Sequence, residues 1–462
     1  MTLPDWLDPL YDAAEMRASD QWAIEDQRVP QDDLMERAAL GLARVTAAVA
    51  GEGPIRIVAG KGNNGGDGRV AARLLAEDGH DVEVIDGTEP FDPSVLEGSG
   101  AVVDALLGTG FEGEPREPVA SAIWAINRQH APVVACDVPS GVNASTGEVS
   151  GAAVRAELTV TMHGPKVGLA VAPGRFHSGD VEVADIGLDP AETEARLVTK
   201  DILDRVPRKQ AGDNKYSAGS VLVVGGSQGM TGAAALCARA AFRADAGYVA
   251  IAAPAESLPT LETLVLEAVK RPLEQAFEAA ERATALALGP GLGRDDAAKW
   301  LVRRLLEETD VPAVVDADAL HEFEPSQRTA PTVLTPHSGE LGRLIGRESR
   351  WVDAHRLEAL AAAVERFHCV VLLKGADTLV GAPGEGVLVR EINTAGLATA
   401  GTGDVLTGIT AAFLAKGMDA RLAAAAAATA QGRAAFLASK SRGLVASDVV
   451  EALPRALALD LG

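Results

Sequence analysis

The sequence predicts an α/β protein of two consecutive domains, each a mostly parallel, doubly wound sheet with helices on both faces. Three observations carry that expectation. Short apolar runs alternate with helical patterns along the chain, the signature of βαβ units. At 462 residues the chain exceeds one ordinary hydrophobic core, so two domains follow from the scaling of surface with volume. A charged, weakly patterned stretch, Asp189–Asp213, interrupts the alternation near the middle, and divides the chain into residues 1–205 and 206–462.

In the first domain the expected strands are Ile55–Val58, Val82–Ile85, Val102–Leu106, Val133–Cys136 and Leu158–Met162. Helices are expected at Leu34–Val49, Val70–Ala76 and Val119–Arg128. Between the first of these strands and its helix, Gly60-Lys-Gly-Asn-Asn-Gly-Gly-Asp-Gly68 places five glycines in nine residues. Such a turn has no side-chain bulk, so backbone N–H groups can close on a phosphate at a helix N-terminus. An ordinary strand–helix turn needs only one or two glycines. The amides of Asn63 and Asn64 and the carboxylate of Asp67 add polar oxygens, which favours anion or nucleotide binding over a plain turn. Asn63, Asn64, Asp104 and Asp137 all fall at or just past C-terminal strand ends. Open α/β sheets bind ligands at that edge, so these residues are expected to converge.

The alternation restarts at Val221–Ser227 and continues through Tyr248–Ala252, Ala285–Leu288, Ala313–Val315, Thr332–Leu334 and Cys369–Leu373. Ala-rich packing helices such as Arg421–Ala438 follow. Three segments stand out: Gly289-Pro-Gly-Leu-Gly293, Lys374-Gly-Ala-Asp-Thr378, and Thr399-Ala-Gly-Thr-Gly-Asp404 ahead of the apolar pattern Val405–Leu414. A Gly-x-Gly-Asp turn opening a helix sets free N–H groups and the positive helix end beside a carboxylate. Phosphoryl transfer uses that pairing, with the Asp taking the proton of the attacking hydroxyl. Taken alone, Gly401–Asp404 reads equally as a helix cap. Asp316 and Asp318 look like a catalytic pair, but alternate strand residues point to opposite faces. At most one of them is expected at a site unless the strand has already ended. Of eight histidines, only His337 falls in a motif; His163, near Lys166, is a loop candidate.

Composition narrows the partners. Hydrophobic residues make up 47% and aromatics 4%, so the cores should be built from Ala, Val and Leu. A net charge of −23 argues against nucleic acid or an anionic membrane as partner, since both need clustered Lys and Arg. The three cysteines, Cys136, Cys237 and Cys369, show no metal spacing. They read as buried thiols in a reducing cytoplasm. The N-terminus lacks a basic segment, so no signal peptide is expected, and the longest apolar run, Leu422–Ala430, is too short to span a bilayer.

The run Gly62-Asn-Asn-Gly-Gly-Asp-Gly68 resembles the N-terminal epimerase domain of the NAD(P)H-hydrate repair enzymes. So do Met16-Arg-Ala-Ser-Asp20, Leu34-Met-Glu36, Asp104-Ala-Leu-Leu-Gly-Thr-Gly110 and Asp137-Val-Pro-Ser-Gly141, and the matches span most of residues 10–200. Gly401–Asp404, Lys374–Thr378, Asn393-Thr-Ala-Gly396 and Gly289–Gly293 resemble the ribokinase-type sugar and vitamin kinases. Thr335-Pro-His-Ser-Gly-Glu340 and Val224-Gly-Gly-Ser227 narrow this second resemblance to the ADP-dependent NAD(P)H-hydrate dehydratases, over residues 205–455. Lys215 is followed by Tyr216 where a Lys-Gly pair is expected.

The resemblance implies a Rossmann-like domain followed by a ribokinase-like one. It implies a cytoplasmic homo-oligomer acting on NADHX, NADPHX and ADP. In the first domain it places Asn63, Asn64, Gly65, Gly66 and Asp67 at the substrate, with Gly108, Thr109, Gly110, Phe111, Glu112, Gly113 and Glu114, and Asp137 at the reacting ring. Asn64, Asp104 and Ser140 match side-chain ligands of a potassium ion. In the second domain Ala233, Gly293 and His337 match hydrate-binding positions. Lys374, Gly375, Ala376, Asp377, Thr378 and Gly403 match the nucleotide site. Asp404, also at the substrate, would be the base, and magnesium is expected with ADP. The alternative is a vitamin or sugar kinase fused to a non-enzymatic binding module. The intact Asn63–Asp67, Asp104 and Asp137 motifs speak against it.

Overall fold

The computed structural model describes residues 4, 6–325, 328–391, 394–438 and 442–458; Asn393 lies outside the described residues. The chain forms two compact units, one of Asp8–Leu197 with Asp353–Arg356, the other of Met1–Leu7, Val198–Val352 and Leu357–Gly462. The division falls slightly before the expected 205/206 boundary. Val198, Ile202, Leu203 and Val206 are buried in the second unit's core, so this stretch is packed rather than a linker.

The first unit carries a six-stranded sheet in the order Val82–Asp86, Ile55–Ala59, Ala101–Ala105, Val133–Cys136, Leu158–Met162, Asp180–Ala184, every neighbouring pair parallel. Period-two alternation explains the two layers of helices. Ile55, Ile57 and Val103 bury against Ala38 and Leu42 of helix Gln31–Val49 and Ala71 and Leu75 of helix Asn63–Glu77. Val58 and Val102 point the other way, onto Ile123 and Ile126 of helix Val119–Ile126. Asp8–Leu10 pairs antiparallel with Ala195–Leu197.

The glycine-rich run is not a turn ahead of the helix, as its composition suggests, but the helix's first turns, beginning at Asn63 after an N-cap at Gly62. Its glycines allow close approach. A Cβ on Gly65 would lie 2.0 Å from the Gly60 carbonyl oxygen, and one on Gly68 2.7 Å from Ala105 Cβ.

The second unit's strands run in the order Glu385–Glu391, Asp377–Ala382, Val370–Leu373, Thr332–Leu334, Ala313–Val315, Ala285–Leu288, Ser220–Val224, Tyr248–Ala253, Val269–Pro272. All pair parallel from Val370–Leu373 onward, and the first two extend the sheet antiparallel. Val221, Val223, Val249 and Ile251 share one apolar core with the Ala-rich helices Thr231–Arg243, Thr402–Ala415, Ala420–Leu437 and Ala446–Leu457. Small residues let these helices touch almost backbone to backbone. A Cβ at Gly408 would stand 2.1 Å from the Cys237 carbonyl oxygen. Among the described residues no helix is long and apolar enough to cross a membrane.

Candidate active sites

In the first unit a cavity of about 830 Å³ opens at the C-terminal edge of the sheet. Asn63, Asn64, Asp67, Gly108, Thr109, Gly110, Phe111, Glu112 and Asp137 line it, with Met16, Arg17, Asp20, Met35, Lys61 and Lys166. Gly65, Gly66, Gly113 and Glu114 are not among its lining. Gly65 packs against Gly60, Gly66 faces Met35, and Glu114 lies by Gly151. His163 is not in the lining either. Its ring packs on Tyr11, centroids 5.0 Å apart.

Asp137 follows its strand directly, in a left-handed conformation with φ of 67°. Its Oδ1 lies 2.6 Å from Nζ of Lys166, which also donates to Thr161 Oγ1 (2.9 Å) and the Met162 carbonyl (2.7 Å). Lys166 is fully buried, and a buried cation of this kind is stable only when its partners are in place. Asp67 is pushed up to about 7, first by burial, then by the charges of Asp137 and Asp20, with Lys166 opposing. Burial likewise raises Asp20.

Asn64, in the lining of this cavity, comes together with Asp104 and Ser140. Ser140 donates from Oγ to Asp104 Oδ1 (2.6 Å) and from its backbone N–H to Oδ2 (2.8 Å). Asn64 Nδ2 donates to the Leu107 carbonyl (2.9 Å), while Leu107 N–H donates to Ser140 Oγ (2.9 Å). Asn64 Oδ1 is buried and has no hydrogen-bond partner among the described residues. Burial raises Asp104 to about 6, against the lowering effect of its bonds from Ser140 and Leu106.

In the second unit the motifs gather at the corresponding sheet edge. Gly401, at φ 88°, caps helix Thr402–Ala415, and Asp404 lies in its first turn. The first helical bond runs from Val405 N–H to the Gly401 carbonyl (3.2 Å), leaving the N–H groups ahead of it without an intrahelical acceptor. Asp404 is pushed up to about 7, first by burial, then by the charge of Asp316, with Lys374 opposing. Lys374 pairs with Asp316 at 2.8 Å and stands 3.9 Å from Glu340. Thr407 Oγ1 donates to the other Asp316 oxygen (2.6 Å). Burial alone would raise Asp316, but Lys374 and Thr407 hold it below its ordinary value.

Gly403 faces this pair, its absent Cβ 3.4 Å from Lys374 Nζ. Gly293 N–H donates to Asp318 Oδ2 (3.0 Å). Ala233 lies on helix Thr231–Arg243 against Gly291, whose loop accepts hydrogen bonds from Gly226 and Ser227. His337 caps helix Ser338–Ile345 through Nδ1, in a capping box with Glu340. Gly375 and Ala376 form an exposed turn, whereas Asp377 and Thr378 begin a strand and are buried.

Two readings change. The strand before Asp316 ends at Val315, so the alternation rule does not separate Asp316 from Asp318. Both stand at the edge, and Asp316 is the counter-charge of Lys374. Lys166 was missed as a site residue. Its position just past a strand end, in Met162-His-Gly-Pro-Lys166, was the available signal.

A profile described as NAD(P)H-hydrate dehydratase matches residues 221–455, and one described as YjeF-related protein N-terminus matches residues 31–98 and 89–168. The bifunctional NAD(P)H-hydrate repair enzyme of Salinibacter ruber is 38% identical, across 98% of this chain and 97% of that protein. The chain belongs to the bifunctional NAD(P)H-hydrate repair enzyme family. The repair enzyme of Moorella thermoacetica is 36% identical, across 97% of this chain and 96% of its own. Among solved structures, the ADP/ATP-dependent NAD(P)H-hydrate dehydratase of Bacillus subtilis, co-crystallised with ATP and magnesium, is 28% identical at a TM-score of 0.52, covering 56% of this chain and 96% of that one. A ribokinase-like superfamily protein of Enterococcus faecalis (23% identity, TM-score 0.52, 58% of this chain and 97% of that one) shares the fold. The C-terminal unit of this repair-enzyme family member therefore has the ribokinase-like fold.

Proposed function

We propose that the chain repairs hydrated nicotinamide dinucleotides in two steps. Its N-terminal unit interconverts the R and S epimers of NADHX and NADPHX. Its C-terminal unit dehydrates the S epimer with ADP, releasing NAD(P)H, AMP and phosphate. The observation that carries this reading is Asp404, a half-buried carboxyl titrating near neutrality at a helix N-terminus beside the Lys374–Asp316 pair. Such a group can accept the substrate hydroxyl's proton as its oxygen attacks the terminal phosphate of ADP. The first-turn N–H groups and the helix dipole then offset the charge on the transferring phosphate. Hydroxide is a poor leaving group and phosphate a good one, so the ring nitrogen can expel the phosphorylated oxygen. An epimerase in the same chain makes both epimers usable.

In the N-terminal unit, Asp137, held by Lys166, would face the reacting ring, and Arg17 and Lys61 supply positive charge along the cavity for the dinucleotide's phosphates. The residues around Asp104 fit a potassium ion. Asn64 Oδ1 is buried without a donor among the described residues, beside a buried carboxylate, a hydroxyl and the Leu107 carbonyl. Hard oxygen donors suit such a cation, and Asn64, Asp104 and Ser140 would hold it, fixing the loop that carries Leu107 and Gly108. For magnesium the C-terminal unit offers less. Asp316 is engaged by Lys374 and Thr407, and Asp318 by Gly293 and Arg294. Magnesium would arrive on the nucleotide's phosphates and keep much of its water. Cys136, Cys237 and Cys369 are free thiols, which accords with a reducing compartment such as the cytoplasm.

The test is recovery of absorbance at the reduced-nicotinamide band from mixed-epimer NADHX, with ADP and ATP compared. No recovery with either nucleotide would overturn the reading. Phosphorylation of hydroxymethylpyrimidine or hydroxyethylthiazole with ATP would revive the kinase alternative.

A further inference from the structure

Three of the carboxylates that line the N-terminal cavity, and one of its two lysines, act on one another. Asp20 comes from helix Ala13–Glu25, Asp67 from helix Asn63–Glu77, Asp137 from the end of strand Val133–Cys136, and Lys166 from the loop after strand Leu158–Met162. The lysine is committed to one of them: its ammonium is 2.6 Å from Asp137 and is otherwise taken up by Thr161 and Met162. Asp67 thus shares the cavity with an ion-paired carboxylate and a second acid, without a salt-bridge partner of its own among the described residues. Its titration near 7 makes it partly protonated at neutral pH.

Inverting one ring carbon that bears a hydroxyl next to a nitrogen sets a clear requirement. One group must protonate the departing oxygen, and another must deprotonate the water that enters from the opposite face, as paired carboxyls do at a sugar carbon. We propose that Asp67 and Asp137 are that pair, working on opposite faces of the hydrated ring. In one direction Asp67 is the donor and Asp137 the acceptor, and the roles exchange in the other. The inference rests on the epimerase reading of this unit.

In the forward step the C–O bond breaks, the oxygen leaves as water with the proton of Asp67, and the nitrogen lone pair closes a cationic C=N bond. Water adds to the other face and gives its proton to Asp137, while the C=N electrons return to nitrogen. One water leaves and one enters, nothing is oxidised or reduced, and exchange with solvent takes the proton from Asp137 and returns one to Asp67. The groups that set its protonation are Asp137, Asp20 and Lys166, and Arg17, Lys61 and Glu112 also line the cavity.

The experiment follows consumption of R-NADHX by the full-length wild type, Asp67→Asn, Asp67→Glu and Asp20→Asn. Conversion of purified S-NADHX with ADP serves as a control on each preparation. Asp67→Asn is expected to lose about 10²–10⁴-fold in kcat with KM changed by less than about threefold, the range for loss of acid–base catalysis. Asp67→Glu, which keeps the acid, should recover a measurable share. Wild-type turnover should fall as pH rises through about 7, and in oxygen-18 water the inverted product should carry label. An active wild type with Asp67→Asn retaining more than about a tenth of its rate, or with the loss falling on Asp20→Asn instead, would overturn the pair alone. A wild type that leaves R-NADHX to its spontaneous rate would overturn the epimerase reading and the pair with it.

Discussion

Replacing Asp404 by Asn keeps the size of the side chain and removes its ionisation, so it should cost activity and gain stability together. The carboxyl is displaced from 3.8 to about 7, first by burial and then by the charge of Asp316, against Lys374. A folded-state value raised above the unfolded one means that the folded protein holds the proton more tightly. That contribution is fully present below about pH 3.8 and is lost as pH rises through about 7. At about 1.4 kcal/mol for each tenfold change in proton affinity, the full displacement is worth about 4 kcal/mol. The side chain is partly solvated, and screening reduces the expected effect to about 2 kcal/mol. For a unit of this size that corresponds to about 4–8 °C in Tm. The variant should therefore melt higher than the wild type at pH 8, with the gap falling to under about half that value at pH 5 by the same linkage. Calorimetric melts at the two pH values measure this, and dehydration of S-NADHX with ADP measures the loss, expected at about 10²–10⁴-fold. A gap independent of pH, or turnover above about a tenth of wild type, would show Asp404 to be a helix cap and not a base.

Asp137→Asn should stop epimerisation alone: purified S-NADHX is repaired at the normal rate while the R fraction persists in mixed substrate, and impaired S-NADHX repair would contradict the separation of sites. Asp104→Ala should slow R-epimer consumption and be partly rescued by high potassium, with tetramethylammonium chloride holding ionic strength constant. Insensitivity of the wild type to potassium would remove the metal role of Asn64, Asp104 and Ser140 together. Asp316→Asn takes from the half-buried Lys374 its counter-charge at 2.8 Å, with Glu340 still 3.9 Å away, which should lower stability by up to about 3 kcal/mol, read as a fall in denaturant midpoint of the C-terminal unit. An unchanged midpoint would mean that Lys374 finds another partner.

The central strands were legible because they are apolar runs buried on both faces, bounded by glycine or charge. Ile55–Ala59, Val133–Cys136 and Ala285–Leu288 stand where the pattern puts them. The strands that escaped are of a different kind. Asp180–Ala184 is an edge strand with little buried surface, and its sequence, Asp-Val-Glu-Val-Ala, alternates over only five residues instead of forming an apolar run. Asp8–Leu10 and Ala195–Leu197 have three residues each, too few for a period to show. The hairpin Asp377–Ala382 and Glu385–Glu391 was hidden by the motif reading of its first residues, although Pro383-Gly384, with Gly384 at φ 69°, is ordinary turn chemistry.

The sites divide along another line. Residues whose chemistry is local to a motif, such as Asp404 in Gly-Thr-Gly-Asp or Asn64 in the glycine run, can be named from sequence, because turn and helix start dictate where they point. Lys166 and Asp316 could not be, since their roles depend on partners brought near only by strand order. Lys166 meets Asp137 because strand Leu158–Met162 pairs parallel with Val133–Cys136. Asp316 meets Lys374 because strand Thr332–Leu334 lies between the two strands that carry them, all three ending at one edge. In each case a lysine pairs most closely with one carboxylate, Asp137 or Asp316, while another, Asp67 or Asp404, is pushed to about 7. A parallel sheet favours that outcome. It crowds acidic loop residues onto one desolvated edge, and one ammonium neutralises only one of them, leaving another able to carry a proton at neutral pH.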